Sequence, residues 1–94
     1  MSAPASNNII FVGKKPVMNY VVACLTLFGD GAPDITLKAR GKAISTAVDT
    51  VQILRKRFVP FVTVKSIGIS TEQVQSTEGG GMSSVSSMEI HLSK

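Results

Sequence analysis

Apolar and polar residues along the chain follow two different periods, and together they predict a mixed fold. Four runs with strand-like character occupy residues 8–12, 35–39, 61–71 and 82–92, and the third is a long strand. Two longer stretches, 16–28 and 42–58, place apolar residues at helical spacing. The predicted order is β-α-β-α-β-β. This order indicates an α/β chain folded as an α+β two-layer sandwich, with the last two strands forming a protruding C-terminal hairpin. Residues 1–7 are expected to form a disordered tail, and residues 8–94 one domain.

The two predicted helices differ in the faces they present. The first has little polar surface, so we expect it to be buried on most sides. The second is amphipathic, with one side suited to a core. Each helix joins one strand to the next, and such connections are typical of parallel strand pairs.

The third strand shows a slip in its alternation. Val62 and Val64 share one face, whereas Ile67 and Ile69 share the other. A β-bulge near residues 65–66 would bring all four side chains back to the same face.

Glycine and basic residues mark both corners where a predicted strand gives way to a predicted helix. The corner residues are Gly13, Lys14, Lys15, Arg40, Gly41 and Lys42. Cations at a helix start run against the helix dipole, which favours anions there. If the first two strands are parallel neighbours, their carboxyl ends lie at one sheet edge and the corners converge. Glycine also lets a backbone approach a phosphate closely. The pattern favours a phosphate site, and four solvated surface charges are the simpler alternative.

Composition narrows the class of partner. The 94 residues carry a formal net charge of +4, which favours an acidic partner such as nucleic acid or an anionic membrane. No apolar run reaches the roughly 18 residues of a membrane-spanning helix. No secretory signal is visible at the N-terminus, and the single cysteine, Cys24, fits a reducing interior. The absence of tryptophan and the single tyrosine argue against an aromatic platform for base stacking.

Catalytic and cofactor chemistry find no support in the sequence. Neither corner matches a nucleotide-binding fingerprint, and His91 has no partner at metal-ligand spacing. No nucleophile, base and orienting group can be assembled, so we expect neither an enzyme nor a cofactor.

Three further features each allow two interpretations. Tyr20 could hydrogen-bond a phosphate or cap the core with its ring, and the second is favoured. Phe58, beside a chain reversal, suits ordinary core or a self-association patch almost equally, with the patch slightly ahead. The basic run 55–57 could add to the positive field of the protein, but it lies at a helix C-terminus, where the dipole alone explains cations, and the second interpretation is favoured.

Two long motifs resemble the Alba family of archaeal chromatin proteins. The first is VGKKPVMNY at residues 12–20, and the second is KARGKAIS at 38–45, followed by AVD at 47–49. The resemblance covers nearly the whole predicted domain. It implies a fold like the C-terminal domain of bacterial translation initiation factor three and a homodimer whose two hairpins extend as arms along a duplex. It also implies largely sequence-independent binding of double-stranded DNA, and of RNA.

The resemblance also implies roles for individual residues. Lys14 and Lys15 match a lysine pair that contacts nucleic acid and can be acetylated, and Phe58 matches an aromatic of dimer–dimer contacts on DNA. The full predicted interface is Gly13, Lys14, Lys15, Asn19, Tyr20, Arg40, Gly41 and Lys42. Two departures stand out. Thr46 occupies a position that is often basic in the family. The hairpin tip is often basic in the family as well, but here it is rich in glycine and serine and carries an acid. Contacts by the arms are therefore expected to be weaker, or to be made through backbone N–H groups.

The resulting expectation is a cytoplasmic, chromosome-associated protein of the archaeal nucleoid that coats and compacts DNA. The alternative is an RNA-binding protein that acts on RNA structure, stability or translation. A binder of small anionic metabolites is a third possibility, supported by the corners alone. The sequence leaves open whether a paralogue forms heterodimers with this chain.

Overall fold

The computed structural model describes residues 8–75 and 79–94. The predicted tail, residues 1–7, and Glu78 of the predicted hairpin turn lie outside the described residues. The elements are, in chain order, β1 (Ile9–Val12), α1 (Val17–Gly29), β2 (Asp34–Arg40), α2 (Ala43–Ile53), a π-helical turn (Leu54–Phe58), β3 (Thr63–Gln75) and β4 (Met82–Ser93). The predicted order of strands and helices is confirmed.

The four strands form one sheet in the order β1-β2-β4-β3. β1 pairs in parallel with β2, and β3 and β4 form an antiparallel hairpin, as the sequence predicts. β4 also pairs antiparallel with β2. The parallel pairing expected from the second strand–helix–strand connection was therefore wrong. β2 and β3 run in the same direction, but β4 occupies the edge of β2 and separates them.

The core lies between the helices and one face of the sheet. In β2, Ile35, Leu37 and Ala39 are buried on the helix side. The alternate residues Thr36 and Lys38 lie on the other face, which no element of the described chain covers. We call this second surface the open face. The arrangement is a two-layer sandwich with one solvated sheet surface.

Helix α1 is less buried than its sequence predicts. Tyr20, Val21 and Cys24 face the core, but Met18 and Val22 are exposed. Because the sheet lies on one side of α1 and α2 on one flank, the remaining side of this apolar helix has no partner within the described chain.

The second helix ends at the predicted residue but with a different last turn. After α2, the chain widens into the π-helical turn, and the Val59 N–H donates to the Leu54 carbonyl over 2.9 Å. Leu54 is fully buried, whereas Phe58 remains partly exposed at the end of the turn.

The predicted β-bulge is present in β3. Its register shifts between Val64 and Ser66, so that Lys65 is the extra residue. Val64 then lies opposite Leu92, and Ile67 lies opposite Ile90. Directly opposed residues share a sheet face, so the bulge returns the apolar side chains of β3 to the helix side.

The hairpin continues beyond the rest of the sheet. β2 ends where Arg40 pairs with Ser87, and residues 71–75 and 82–86 pair only with each other. We call this two-stranded extension the arm. The radius of gyration of the chain is 14.3 Å, larger than the value of about 12 Å for a compact domain of this length.

Cys24 provides a test of how tightly the core is packed. Burial raises the pKa of its thiol from 9.0 to about 12. The thiol has a higher pKa in the folded state than in the unfolded state. Below about pH 9 it is neutral in both states, so its burial does not lower the stability of the fold. The free energy of unfolding falls as the pH rises from about 9 towards 12. At pH 8 we expect Cys24 of the native protein to react with an aromatic disulfide reagent only as fast as the protein unfolds. The check is to follow thiol release across a urea series, because fast release without urea would contradict the packed core.

Candidate nucleic-acid interface

The two glycine–lysine corners line a single cleft of about 550 Å³. Its lining residues are Val12, Gly13, Lys14, Lys15, Arg40, Lys42, Ala43 and Thr46. The corners meet because β1 and β2 are parallel neighbours, with Val12 opposite Ala39 at their carboxyl ends. The convergence expected from the sequence is therefore present, and we call this site the cation cleft.

Both helices begin beside the cation cleft without the usual anionic partners. Pro16 precedes α1 and Lys42 precedes α2, and neither helix has a side-chain cap or an acid in its first turn. The helix dipole places partial positive charge at these N-termini. Two helix ends and four cationic side chains therefore contribute the same sign of potential to one site.

One cation of the cleft has an internal partner. The Arg40 Nη1 lies 3.5 Å from the Glu72 Oε1 on β3, and both side chains are about half exposed. Such exposed pairs are weak, typically about 0–1 kcal/mol. Within residues 8–75 and 79–94, no ion pair engages Lys14, Lys15 or Lys42. These three lysines therefore present the least compensated charge of the cleft.

Tyr20 holds the first corner in place. Its ring belongs to the buried core, and its hydroxyl oxygen accepts hydrogen bonds from the Gly13 N–H at 2.8 Å and the Lys15 N–H at 3.0 Å. The tyrosine thus ties the strand–helix loop to α1. The ring occupies the core position favoured by the sequence, and the hydroxyl fixes the backbone that carries the two lysines.

The second corner is tied to the hairpin. Gly41 adopts a φ of +56°, which favours glycine, and its N–H donates to the Ser86 carbonyl on β4 over 2.8 Å. Both corner glycines therefore have their N–H groups bonded within the protein. The cation cleft presents side chains rather than these two backbone donors.

The remaining predicted residues lie elsewhere. Asn19 is exposed in the first turn of α1 but does not line the cation cleft. Phe58 lies at the end of the π-helical turn, 44% exposed. Lys56 and Arg57 line a separate cleft together with Val17.

His91 takes part in a polar network on the open face. Its Nδ1 lies 3.0 Å from the Thr36 hydroxyl, and its Nε2 lies 3.4 Å from a carboxylate oxygen of Glu89. In the described part of the chain, no cluster of histidine, cysteine, aspartate or glutamate side chains has the geometry to hold a metal ion. Among the same residues, no helix is both long and apolar enough to span a membrane.

Thr46 and Glu72 also belong to the environment of the site, and only Glu72 was not anticipated from the sequence. Thr46, noted in the sequence as a position without a basic side chain, lines the cleft one helical turn beyond Lys42. Glu72 reaches Arg40 across the sheet. Its position depends on the register of the hairpin, for which the sequence offers no local signal.

Comparisons with known proteins identify the family. The family model described as Alba matches residues 8–71. A protein of Archaeoglobus fulgidus named DNA/RNA-binding protein Alba 1 is 56% identical over 89 residues, which are 95% of this chain and 98% of that protein.

Two solved structures are similar in fold. Alba from Thermoplasma volcanium has a TM-score of 0.88 and 52% sequence identity, covering 93% of this chain and all of that chain. ALBA1 from Trypanosoma brucei has a TM-score of 0.74 and 28% identity, covering 93% of this chain and 68% of that one. The family model, the sequence identity and the shared fold agree, and the chain belongs to the Alba family.

Proposed function

We propose that this protein binds double-stranded DNA through its phosphate backbone and acts as an architectural protein that coats and compacts the chromosome. The observation that carries the proposal is the cation cleft, where four basic side chains and two uncapped helix N-termini meet. Basic side chains directed at phosphates release counterions and carry no sequence information. Binding is therefore largely independent of sequence, and it takes place on the chromosome in the cytoplasm.

The names of the relatives support nucleic acid as the ligand class. The Archaeoglobus fulgidus and Methanocella arvoryzae relatives, 56% and 53% identical to this chain, are named DNA/RNA-binding proteins. Lys14, Lys15 and Lys42 are the principal phosphate contacts, and Arg40 contributes once Glu72 releases it. Acetylation of Lys14 or Lys15 removes one of these charges and weakens binding.

The protein acts as a homodimer. On the helix side of β3, Ile67 and Ile69 are 55% and 77% exposed, and Val48 of α2 is also exposed. Ile44 and Ile69 line a shallow cavity of about 350 Å³ on this surface. A domain this small buries a limited core, and a second copy of the same apolar patch would cover it around a two-fold axis. The two arms would then extend along a duplex and add hydroxyl, amide and backbone groups, rather than basic side chains, to the contact.

Dimers associate further on DNA through the aromatic patch at the end of the second helix. Phe58 and Phe61 are 44% and 64% exposed on either side of Pro60. Exposed aromatic clusters of this kind are typical of association surfaces. Whether a paralogue replaces one copy of this chain in the dimer depends on how well the apolar patch of the paralogue matches the apolar patch of this chain.

RNA binding is the second candidate function, favoured by the names of the same two relatives, which give DNA and RNA together. A cleft that contacts phosphates does not strongly separate the two duplex forms. Competition between DNA and RNA duplexes of matched sequence discriminates the functions, since a large RNA preference would favour a role in RNA structure, stability or translation.

Removal of the first lysine pair tests the phosphate contacts. We expect Lys14→Ala with Lys15→Ala to weaken all duplex sequences alike and to flatten the plot of log affinity against log salt by about one to two units per protomer. Glutamine at the same positions imitates acetylation and should have the same effect. The measurement is fluorescence anisotropy with a mixed-sequence duplex across a salt series.

The matched control removes the same charge elsewhere. Arg55→Ala with Lys56→Ala lies outside the cation cleft and should leave most of the slope in place. If both double variants lower the slope equally, net charge rather than the cleft controls binding.

A charge placed in the apolar patch tests the dimer. Because Ile69 is 77% exposed in the protomer, Ile69→Glu should leave the fold intact while separating the dimer. Sedimentation equilibrium should show a shift from twice the 9.9 kDa protomer mass to the protomer itself. Val22→Glu, on the exposed side of α1, should remain dimeric. A dimeric Ile69→Glu variant would place the interface elsewhere.

Truncation of the aromatic patch tests contacts between dimers. Phe58→Ala should keep the affinity for a short duplex that holds one dimer and lower the cooperativity on long DNA. Titrations on duplexes of increasing length measure both quantities. Unchanged cooperativity on long DNA would exclude Phe58 from these contacts.

A further inference from the structure

The open face of the sheet carries an aromatic side chain that is mostly exposed and does not belong to the core of the described chain. Phe11 is 73% exposed, although its neighbours Ile10 and Val12 are only 8% and 7% exposed. Strand alternation explains the direction, since Ile10 and Val12 face the helices and Phe11 faces the opposite side. It does not explain why the outward position of an edge strand holds a large apolar ring beside charged residues.

Phe11 forms one wall of a second cleft, of about 250 Å³. The lining residues on the open face are Phe11, Lys38, Arg40, Glu72, Ser87 and Glu89. Ser87 is buried, and its hydroxyl lies 2.7 Å from the Ser70 hydroxyl. The site therefore combines one aromatic face with several hydrogen-bonding groups, and we call it the Phe11 cleft.

The Phe11 cleft is continuous with the cation cleft. Val12 and Arg40 line both sites. A polynucleotide whose phosphates lie against the corner lysines therefore passes the rim of the Phe11 cleft. A ligand that suits both sites is negatively charged along its backbone and carries flat, apolar groups with polar edges.

The chemistry of the Phe11 cleft favours a nucleobase over an apolar protein segment. A single ring surrounded by two cations and two carboxylates offers too little apolar area for a protein interface. It does offer a stacking face for a base, and carboxylates that accept hydrogen bonds from base N–H groups. Glu89 and Glu72 already lie 3.5 Å from Lys38 and Arg40, so their charges are balanced without a ligand.

We propose that the Phe11 cleft binds an unpaired base of single-stranded nucleic acid, stacked on Phe11, while the adjoining phosphates lie in the cation cleft. The inference rests on the proposed nucleic-acid binding and extends it to strands without a complement. Bases in a duplex are paired and stacked, so their faces are closed to Phe11. The absence of tryptophan and the single tyrosine predicted no stacking platform. A phenylalanine in this position supplies one.

A tryptophan at position 11 provides a direct reporter. The chain has no tryptophan, so Phe11→Trp carries the only indole and keeps an aromatic face. We expect its fluorescence to be quenched by a mixed-sequence single-stranded RNA or DNA oligonucleotide and little changed by the corresponding duplex. Val22→Trp, at an exposed position of α1 outside both clefts, is the control and should respond to neither. Binding of the single strand without quenching at position 11 would overturn the proposal.

Affinity measurements separate this inference from the proposed function. We expect Phe11→Ala to weaken binding of the single strand by about fivefold or more, the scale of losing a base–aromatic stack, and to change duplex affinity by less than about twofold. Because Phe11 is 73% exposed, we expect the thermal unfolding midpoint of the variant to stay close to that of the parent, and this measurement is the control for folding. Equal loss or no loss for both ligands would refute the Phe11 cleft while leaving duplex binding in place. If the parent protein binds neither ligand, the proposed function and the inference fail together.

Discussion

The parallel pairing of β1 with β2 is the constraint on which the site depends. It places Val12 opposite Ala39, so the two strands end at the same sheet edge and both corners meet in one cleft. Residues about 25 positions apart in the chain thereby combine their charges. The two helices that follow begin at this edge without acidic residues in their first turns, so the dipoles add to the potential.

The hairpin of β3 and β4 determines the contacts of the second corner and the position of the exposed apolar patch. By pairing with β2, β4 separates β2 from β3 and brings Ser86 to Gly41 at the second corner. β3, on the far side of β4, contributes Glu72, which reaches Arg40. The bulge at Lys65 turns the apolar residues of β3 towards the helix side of the sheet, in a part of that surface that the helices do not cover. One irregularity in one strand therefore creates the exposed patch that we propose as the dimer interface.

Much of the fold and of the cation cleft could be predicted, because both follow from local patterns and one simple rule of topology. Alternation, helical spacing and turn residues define the elements, and parallel neighbours bring their carboxyl ends together. Other features depended on contacts between distant residues. Tyr20 accepting hydrogen bonds from the first corner, Gly41 bonding to Ser86 and the exposure of Phe11 all arise from how elements pack.

The sequence by itself determined the types of element, the bulge and the chemistry of the two corners. Each depends on residues close together in the chain, where periodicity and backbone preference act directly. The tertiary structure alone decided which strand lies beside β2, which side of α1 has no partner and that Phe11 faces an open sheet surface next to Arg40. These outcomes depend on the register of long-range strand pairs, which is set by the packing of all elements at once.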